Sequence, residues 1–204
     1  MRFFIIFAIL GSAIPGLGQA CNPNLAPALS VRDKEFQDAT KLFMESEGNK
    51  YARLSAYDTM LRIDGSAFGV VLRDGYLSED DSLIAAAVTC ETLRSNGGVA
   101  TVTGLPDNAD GLSDPQKKQI LGYGFNLKKI PGSVDWERAC FSTYKHKEEG
   151  CHPSRFVSVR DGVISFRHDN STGSFRRVDG EFIGTIELFY GGPILTVPAK
   201  LTLQ

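Results

Sequence analysis

Residues 155–203 read RFVSVRDGVISFRHDNSTGSFRRVDGEFIGTIELFYGGPILTVPAKLTL, a series of strand-like runs broken by turn residues. Apolar and polar side chains alternate within each run, which is the period of a half-buried β-strand. The runs cover 156–160, 163–168, 175–178, 181–190 and 194–203. The breaks are Asp161-Gly162, residues 169–173, Asp179-Gly180 and Gly191-Gly192. Asp-Gly and Gly-Gly between β-rich runs are strong hairpin signals, so this stretch predicts an antiparallel β-meander.

The sequence before the meander has a helical period. Residues 32–47 and 50–63 each place apolar side chains on one helical face, and the short break between them predicts a helical hairpin. Another helix carries Leu83 to Leu93 on one side. Residues 68–72 (FGVVL) are interpreted as a short strand or a buried segment, and β-branched residues predict a strand at 99–103. The predicted fold class is α+β, with N-terminal helices packed against the C-terminal meander.

The N-terminus has the features of a secretory signal peptide. Arg2 precedes an apolar run, and Gly18-Gln19-Ala20 fits a cleavage site before Cys21. The alternatives are a short membrane anchor and a lipid on Cys21. A spanning helix needs about 20 apolar residues, and this run breaks at Gly11. We therefore expect residues 1–20 to be cleaved and 21–204 to form one secreted or periplasmic domain without a membrane span, helix-rich over 30–125 and β-rich over 155–204.

Four cysteines, Cys21, Cys90, Cys140 and Cys151, follow the predicted cleavage site. An even number of cysteines in an exported chain predicts two disulfides, for which three connectivities exist. Cys140 and Cys151 are close in sequence and border a polar segment, so a local bridge between them is favoured. Cys21 then pairs with Cys90, for which a free buried thiol is the alternative.

Composition narrows the classes of function. The chain has 204 residues, 23% of them charged, and a formal net charge of −2. This is ordinary globular composition, and it lacks the strong basic charge typical of nucleic-acid-binding domains. We expect the partner to be another protein and predict no cofactor.

One short element resembles a known one. Arg53-Leu54 followed by Tyr57-Asp58 is similar to an Arg-Leu-x-Cys-Tyr-Asp element of small proteobacterial envelope proteins, including type VI secretion accessory proteins. The resemblance implies a Gram-negative source. The cysteine that precedes the tyrosine in those proteins is Ala56 here, and its partner position lies near Met44.

Residues 140–152 hold the densest cluster of polar side chains with possible chemistry. Zinc could use thiolate, imidazole and carboxylate ligands there, from Cys140, His146, Glu148, Glu149, Cys151 and His152. The spacing is not a familiar ligand pattern, and a disulfide would remove both thiolates, so no metal site is predicted. A cysteine nucleophile with a histidine is a further alternative, but no motif for it or for a serine hydrolase or metalloprotease is present.

Five arginines, Arg155, Arg160, Arg167, Arg176 and Arg177, give the segment 153–178 a local positive excess. Arg155, Arg160 and Arg176 are the candidate partner surface, and protection of strand edges by charge is the alternative. The predicted function is a non-catalytic binding protein of the cell-envelope accessory, inhibitor or immunity type, with no catalytic residue. The alternative is a small secreted hydrolase with a site around His146, His152 and His168.

Overall fold

The computed structural model describes residue 19 and residues 21–63, 68–107, 109–145, 150–189 and 194–204. Within these ranges, five α-helices and an eight-stranded antiparallel sheet confirm the predicted α+β class. The helices are α1 (Arg32–Glu45), α2 (Lys50–Arg62), α3 (Phe68–Tyr76), α4 (Asp81–Arg94) and α5 (Asp114–Leu121). The strands are β1 (Gly98–Val102), β2 (Gly124–Asn126), β3 (Cys140–Ser142), β4 (Arg155–Arg160), β5 (Val163–His168), β6 (Ser171–Val178), β7 (Glu181–Phe189) and β8 (Ile194–Leu203).

Helices α1 and α2 pack together as the predicted hairpin. The side chain of Asn49 caps α2 by accepting a hydrogen bond from the Ala52 N–H at 3.1 Å. Asp80 caps α4 in the same way, accepting from the Ser82 N–H at 2.9 Å. Each cap satisfies one of the backbone donors that a helix leaves free at its N-terminus. None of the helices in the described ranges is long and apolar enough to cross a membrane.

The interpretation of residues 68–72 as a strand is wrong, because these residues begin helix α3. The buried positions of α3 are Val71 and Gly75, four residues apart, which is a helical spacing. The Tyr57 hydroxyl of α2 donates a buried hydrogen bond of 2.8 Å to the Val71 carbonyl. A Cβ at Gly75 would lie 1.9 Å from that hydroxyl, so a glycine is needed where α2 and α3 meet.

The strand order is β2-β1-β8-β7-β6-β5-β4-β3, so β4 to β8 form the predicted meander. The Asp-Gly turns have the left-handed conformation that tight hairpins require, with φ of 51° and 72° at Asp161-Gly162 and 50° and 86° at Asp179-Gly180. Strand β6 begins at Ser171, so the break after β5 is shorter than predicted. The predicted Gly191-Gly192 turn lies outside the described residues.

The inner face of the sheet encloses the larger core. It carries Ile164, Phe175 and Val197, and α4 adds Val88 and Leu93 to the same cluster. A second cluster lies among the helices and includes Tyr57, Leu61 and Leu83. Helix α4 contributes side chains to both clusters, so it holds the helices against the sheet.

Glycines allow the sheet to curl around its core. At Gly184 of β7 an added Cβ would lie 1.8 Å from the Ser174 carbonyl oxygen of β6. At Gly173 an added Cβ would lie 2.2 Å from the ring of Phe166, which covers this glycine from the neighbouring strand. Such glycines and aromatic covers are the usual means of bending a sheet.

Candidate interaction surface

The sheet has a second face, which we call the outer face. Its side chains alternate with the buried inner ones along each strand. Along β7, for example, residues 181, 183, 185, 187 and 189 are exposed, whereas Phe182, Ile186 and Leu188 are buried. The helix that packs on the sheet, α4, shares its buried side chains with the inner face. The outer face is therefore the exposed face of the sheet in the described ranges.

Strand pairing places basic side chains in one row across the outer face. Arg160 pairs with Val163, and Val163 pairs with Arg176 on its other side. The row continues through Ile183 to Lys200. Adjacent strands are about 4.8 Å apart, so the α-carbons of Arg160 and Arg176 are separated by about 10 Å. We call these five residues the basic row.

The basic side chains of this row differ in whether they form ion pairs. Lys200 forms an ion pair with Glu181, so its charge is matched within the sheet. Arg160 and Arg176 are exposed, and neither has an ion pair or hydrogen bond to any residue in the described ranges. Two guanidinium groups on this face therefore keep their hydrogen-bond donors available.

A second row lies one step along the strands. Ser158 pairs with Ser165, Ser165 with Ser174, and Ser174 with Thr185. These four residues, the hydroxyl row, line a depression with a volume of about 360 Å³. Phe156, Arg167 and Glu187 also line it. Small polar side chains thus form the floor of a groove, with the basic row along one side.

The structure does not bring Arg155 together with Arg160 and Arg176. Arg155 shares its face with the buried Val157 and Val159, so it lies on the inner side of β4. Its Nε donates to Asp169 Oδ1 at 2.8 Å, and its Nη2 donates to the other carboxylate oxygen. This bidentate bond holds the pKa of Asp169 below its ordinary value. Arg155 is already paired, whereas Arg160 and Arg176 are not.

Asp169 also lies near two histidines of the alternative hydrolase site, His168 and His152. The charges of His168 and His152 both lower its pKa, after the larger effect of Arg155. His168 Nδ1 lies 3.8 Å from Asp169 Oδ2, which is longer than a hydrogen bond. His152 Nδ1 accepts the Ser154 N–H at 3.2 Å, so it stabilises a local turn. His146 lies outside the described residues.

Both disulfides connect the pairs that the sequence favours. Cys21 is bonded to Cys90 of α4, with α-carbons 5.1 Å apart, and Cys140 is bonded to Cys151, with α-carbons 6.1 Å apart. A cysteine sulfur in a disulfide cannot carry a lipid, so the pairing of Cys21 contradicts the lipidated alternative. It also removes Cys90 as a free buried thiol.

The Cys140–Cys151 disulfide determines which zinc ligands the polar segment 140–152 can provide. Asp135 lies beside this disulfide, and its carboxylate and the two sulfurs fall within 4.8 Å of one another. Bonded to each other, the sulfurs are not thiolate ligands for zinc. The candidate ligands Glu148 and Glu149 lie outside the described residues. The bridge instead supports a loop in which Ser142 Oγ accepts the His152 N–H at 2.7 Å and donates to the Gly150 carbonyl at 2.9 Å.

The Arg53 to Asp58 element lies in α2 and has a packing role there. The guanidinium of Arg53 lies over the Phe43 ring at 4.7 Å, and Tyr57 bonds to α3 as described above. Burial raises the pKa of Asp58 to about 6, with Arg62 lowering it in part.

Comparison of this chain with family models, with curated proteins and with solved structures found no match.

Sequence reasoning missed the hydroxyl row and the place of Arg167 beside it. A partial signal was present, because alternation along β4 puts Ser158 on the same face as Arg160 and on the opposite face from Arg155. Alternation along β5 likewise puts Arg167 on the same face as Ser165.

Proposed function

We propose that the protein is an exported, disulfide-braced, non-catalytic binding protein that docks another protein on the outer face of its sheet. The proposed mature domain is residues 21–204, secreted or periplasmic, of the envelope accessory, inhibitor or immunity type. The two disulfides support an oxidising compartment, because disulfides rarely persist in a reducing cytoplasm.

The observation that carries the proposal is a pair of exposed arginines, Arg160 and Arg176, that have no ion pair or hydrogen bond within the described part of the chain and lie on the outer face of the sheet. Edge protection does not explain Arg176, because β6 pairs with β5 on one side of this residue and with β7 on the other. Arg160 lies beyond the part of β4 that β3 covers, so its charge can also protect that edge. Arginine is enriched at protein interfaces because its planar group donates several hydrogen bonds in fixed directions.

The surroundings of these arginines suit an acidic protein surface. Ile183, 41% exposed, lies beside Arg176 in the basic row and supplies an apolar contact. The hydroxyl row offers donors and acceptors next to it. A partner that presents carboxylates to Arg160 and Arg176 would gain charge-assisted hydrogen bonds and a faster encounter through electrostatic attraction.

The test compares two double charge reversals. Arg160→Glu with Arg176→Glu changes the basic row, and Lys34→Glu with Lys50→Glu makes the same change of charge on exposed positions of α1 and α2. The partner is first isolated on the oxidised wild-type protein from its own envelope or culture fluid. Binding of the purified partner is then measured at low and moderate salt.

We expect the basic-row variant to bind at least about tenfold more weakly, mainly through a slower association rate and a weaker salt dependence. The α1–α2 variant should bind within about twofold of wild type, as expected for charges outside an interface. Equal binding by both variants, or equal loss in both, would contradict docking on the outer face. Export is tested separately, by N-terminal sequencing of the exported protein, which should begin at Cys21.

A further inference from the structure

A second candidate site lies where the helices meet the end of the sheet. A cavity of about 670 Å³ separates α2 and α4 from the β4–β5 turn and the end of β6. Its volume falls in the range of small-molecule sites, about 300–1,000 Å³. Leu54, Ile84 and Ala85 form an apolar wall. The charged side chains that line it are Arg176, Arg177, Asp81 and Asp161.

Arg177 is held in place by an aromatic ring. Its guanidinium carbon lies 3.6 Å from the centre of the Tyr76 ring, and the Tyr76 hydroxyl donates a hydrogen bond to Glu91. Burial, followed by this hydrogen bond, raises the pKa of Tyr76. The hydrogen bond to Glu91 orients the ring beneath Arg177. Stacking occupies one face of the guanidinium and leaves the N–H groups, which lie in its plane, directed past the ring.

These N–H groups lack protein acceptors. Arg177 is half-buried, yet it makes no hydrogen bond and no ion pair with any residue in the described ranges. Solvent reaches a half-buried guanidinium, and an anion at this position would replace that solvent with charge-assisted hydrogen bonds. The same guanidinium also borders a smaller cavity of about 370 Å³, which Tyr76 and Glu91 line from the other side.

The neighbouring charges limit what kind of anion fits. Asp81 and Asp161 line the larger cavity with the two arginines, and Glu91 faces Arg177 from the smaller one. Asp81 and Asp161 balance the two arginines of the larger cavity, and Glu91 adds a third carboxylate, so no positive excess remains to hold a polyphosphate or another polyanion. A single carboxylate can still form charge-assisted hydrogen bonds to Arg177, which has no ion pair among the described residues. The apolar wall favours a ligand with a hydrocarbon group.

We propose that this cavity binds a carboxylate attached to a branched apolar group, with the carboxylate on Arg177 and the apolar group against Leu54, Ile84 and Ala85. A free small acid and the C-terminal residue of a peptide both have this chemistry. The cavity shares Arg176 with the basic row, but the carboxylate is placed on Arg177, which lies on the inner side of β6, next to the buried Phe175 in the alternation of that strand. Binding of a small acid to Arg177 can therefore be tested without the docking partner.

The experiment uses two probes that differ in one group. N-acetyl-leucine carries the carboxylate, and N-acetyl-leucinamide replaces it with a neutral amide. Each is titrated into the isotope-labelled, oxidised protein, and NMR follows the Arg177 Nε–H and the backbone amides of Ser82 and Gly162, which line the cavity. We expect saturable shifts at these groups with N-acetyl-leucine and at least about tenfold weaker binding of the amide. Equal binding of both probes, or no saturable shift with either, would overturn the proposal.

Two variants test the role of Arg177. Arg177→Gln should weaken N-acetyl-leucine binding at least about tenfold. Arg167→Gln makes the same change on the outer face and should bind it as wild type does. Unchanged binding by Arg177→Gln would overturn the proposal, as would equal loss in both variants. The acid and amide comparison on the wild-type protein keeps the test decisive if Arg177→Gln fails to fold.

A further pair of probes identifies the source of the ligand. Alanyl-alanyl-leucine extends the same carboxylate into a peptide, and its C-terminal amide is the control. Tighter binding than N-acetyl-leucine, with loss in the amide, assigns the site to peptide C-termini. Equal or weaker binding assigns it to small acids. Failure of every probe here would leave docking on the outer face intact, so the two proposals fail separately.

Discussion

Removal of the Cys21–Cys90 disulfide should destabilise the protein more than removal of the Cys140–Cys151 disulfide. The first bond joins residues 69 positions apart, and the second joins residues 11 positions apart. A disulfide restricts the unfolded chain, and the restriction grows with the logarithm of the loop that it closes. The double substitutions Cys21→Ala with Cys90→Ala, and Cys140→Ala with Cys151→Ala, isolate the two contributions.

The loop lengths give the expected magnitudes. The chain-entropy relation predicts a loss of about 4.4 kcal/mol for the longer loop and about 2.8 kcal/mol for the shorter one. Packing adds to the difference, because Cys21 and Cys90 are fully buried, whereas Cys151 is only half-buried. We therefore expect the free energies of unfolding of the two variants to differ by about 1.6 kcal/mol or more.

Urea unfolding of the three proteins measures this difference. The slope m should be similar for the two variants, so that the midpoints report their relative stability. Equal free energies of unfolding, or a larger loss in the variant without Cys140–Cys151, would refute the loop-length reasoning. Reduced wild-type protein provides a control, since it should be less stable than either variant.

Three other changes have outcomes that the structure predicts. Burial raises the pKa of Asp58 from 3.8 to about 6, so the folded protein binds a proton that the unfolded chain releases, and stability falls as pH rises through this window. Asp58→Asn should therefore stabilise the protein by about 2–3 kcal/mol at pH 7 and have little effect at pH 4, measured by urea unfolding. Gly184→Ala should cost about 3 kcal/mol or more in the same assay, because its Cβ would meet a backbone carbonyl at 1.8 Å. His146→Ala, His152→Ala and His168→Ala should each retain partner binding within about twofold, because the proposed docking site uses none of these side chains.

Each of these predictions has a control variant or an outcome that would contradict it. Gly111→Ala adds a Cβ with no atom within 4 Å, so it should leave stability nearly unchanged. A stability gain in Asp58→Asn that is the same at both pH values would show that the carboxyl is not the cause. Loss of the protein's activity in one folded histidine variant would favour the hydrolase alternative, since loss of a general acid or base typically lowers a rate by about 10²–10⁴.

The register of two hairpins of the meander could be predicted from the sequence, because Asp161-Gly162 and Asp179-Gly180 form two-residue turns. Once β4 and β5 pair about Asp161-Gly162, Ser158 must face Ser165. The turn at Asp179-Gly180 places Ser174 opposite Thr185 in the same way. The pairing of Ser165 with Ser174, which completes the hydroxyl row, could not be predicted, because the turn-like composition of residues 169–173 hides the start of β6 at Ser171.

Other features depend on contacts that a sequence window does not contain. Strands β2 and β3 have three residues each, too few to show a period of two. The position of β1 beside β8 joins segments about a hundred residues apart. The pairing of Arg155 also depends on a non-local contact, because its partner Asp169 belongs to the turn after β5. The sequence around β4 therefore does not show that Arg155 is paired while Arg160 has no partner in the described ranges.

The position of β8 between β7 and β1 determines when the sheet can be completed. A chain that emerges N-terminus first forms its helices from near neighbours and its first hairpins from consecutive residues. It cannot join β1 and β2 to the meander until residues 194–203 are free to pair on both sides. Until then, β7 and β1 each have an unpaired edge that can bind another chain. A chain truncated before residue 194 would therefore expose two sheet edges and be prone to aggregation and proteolysis.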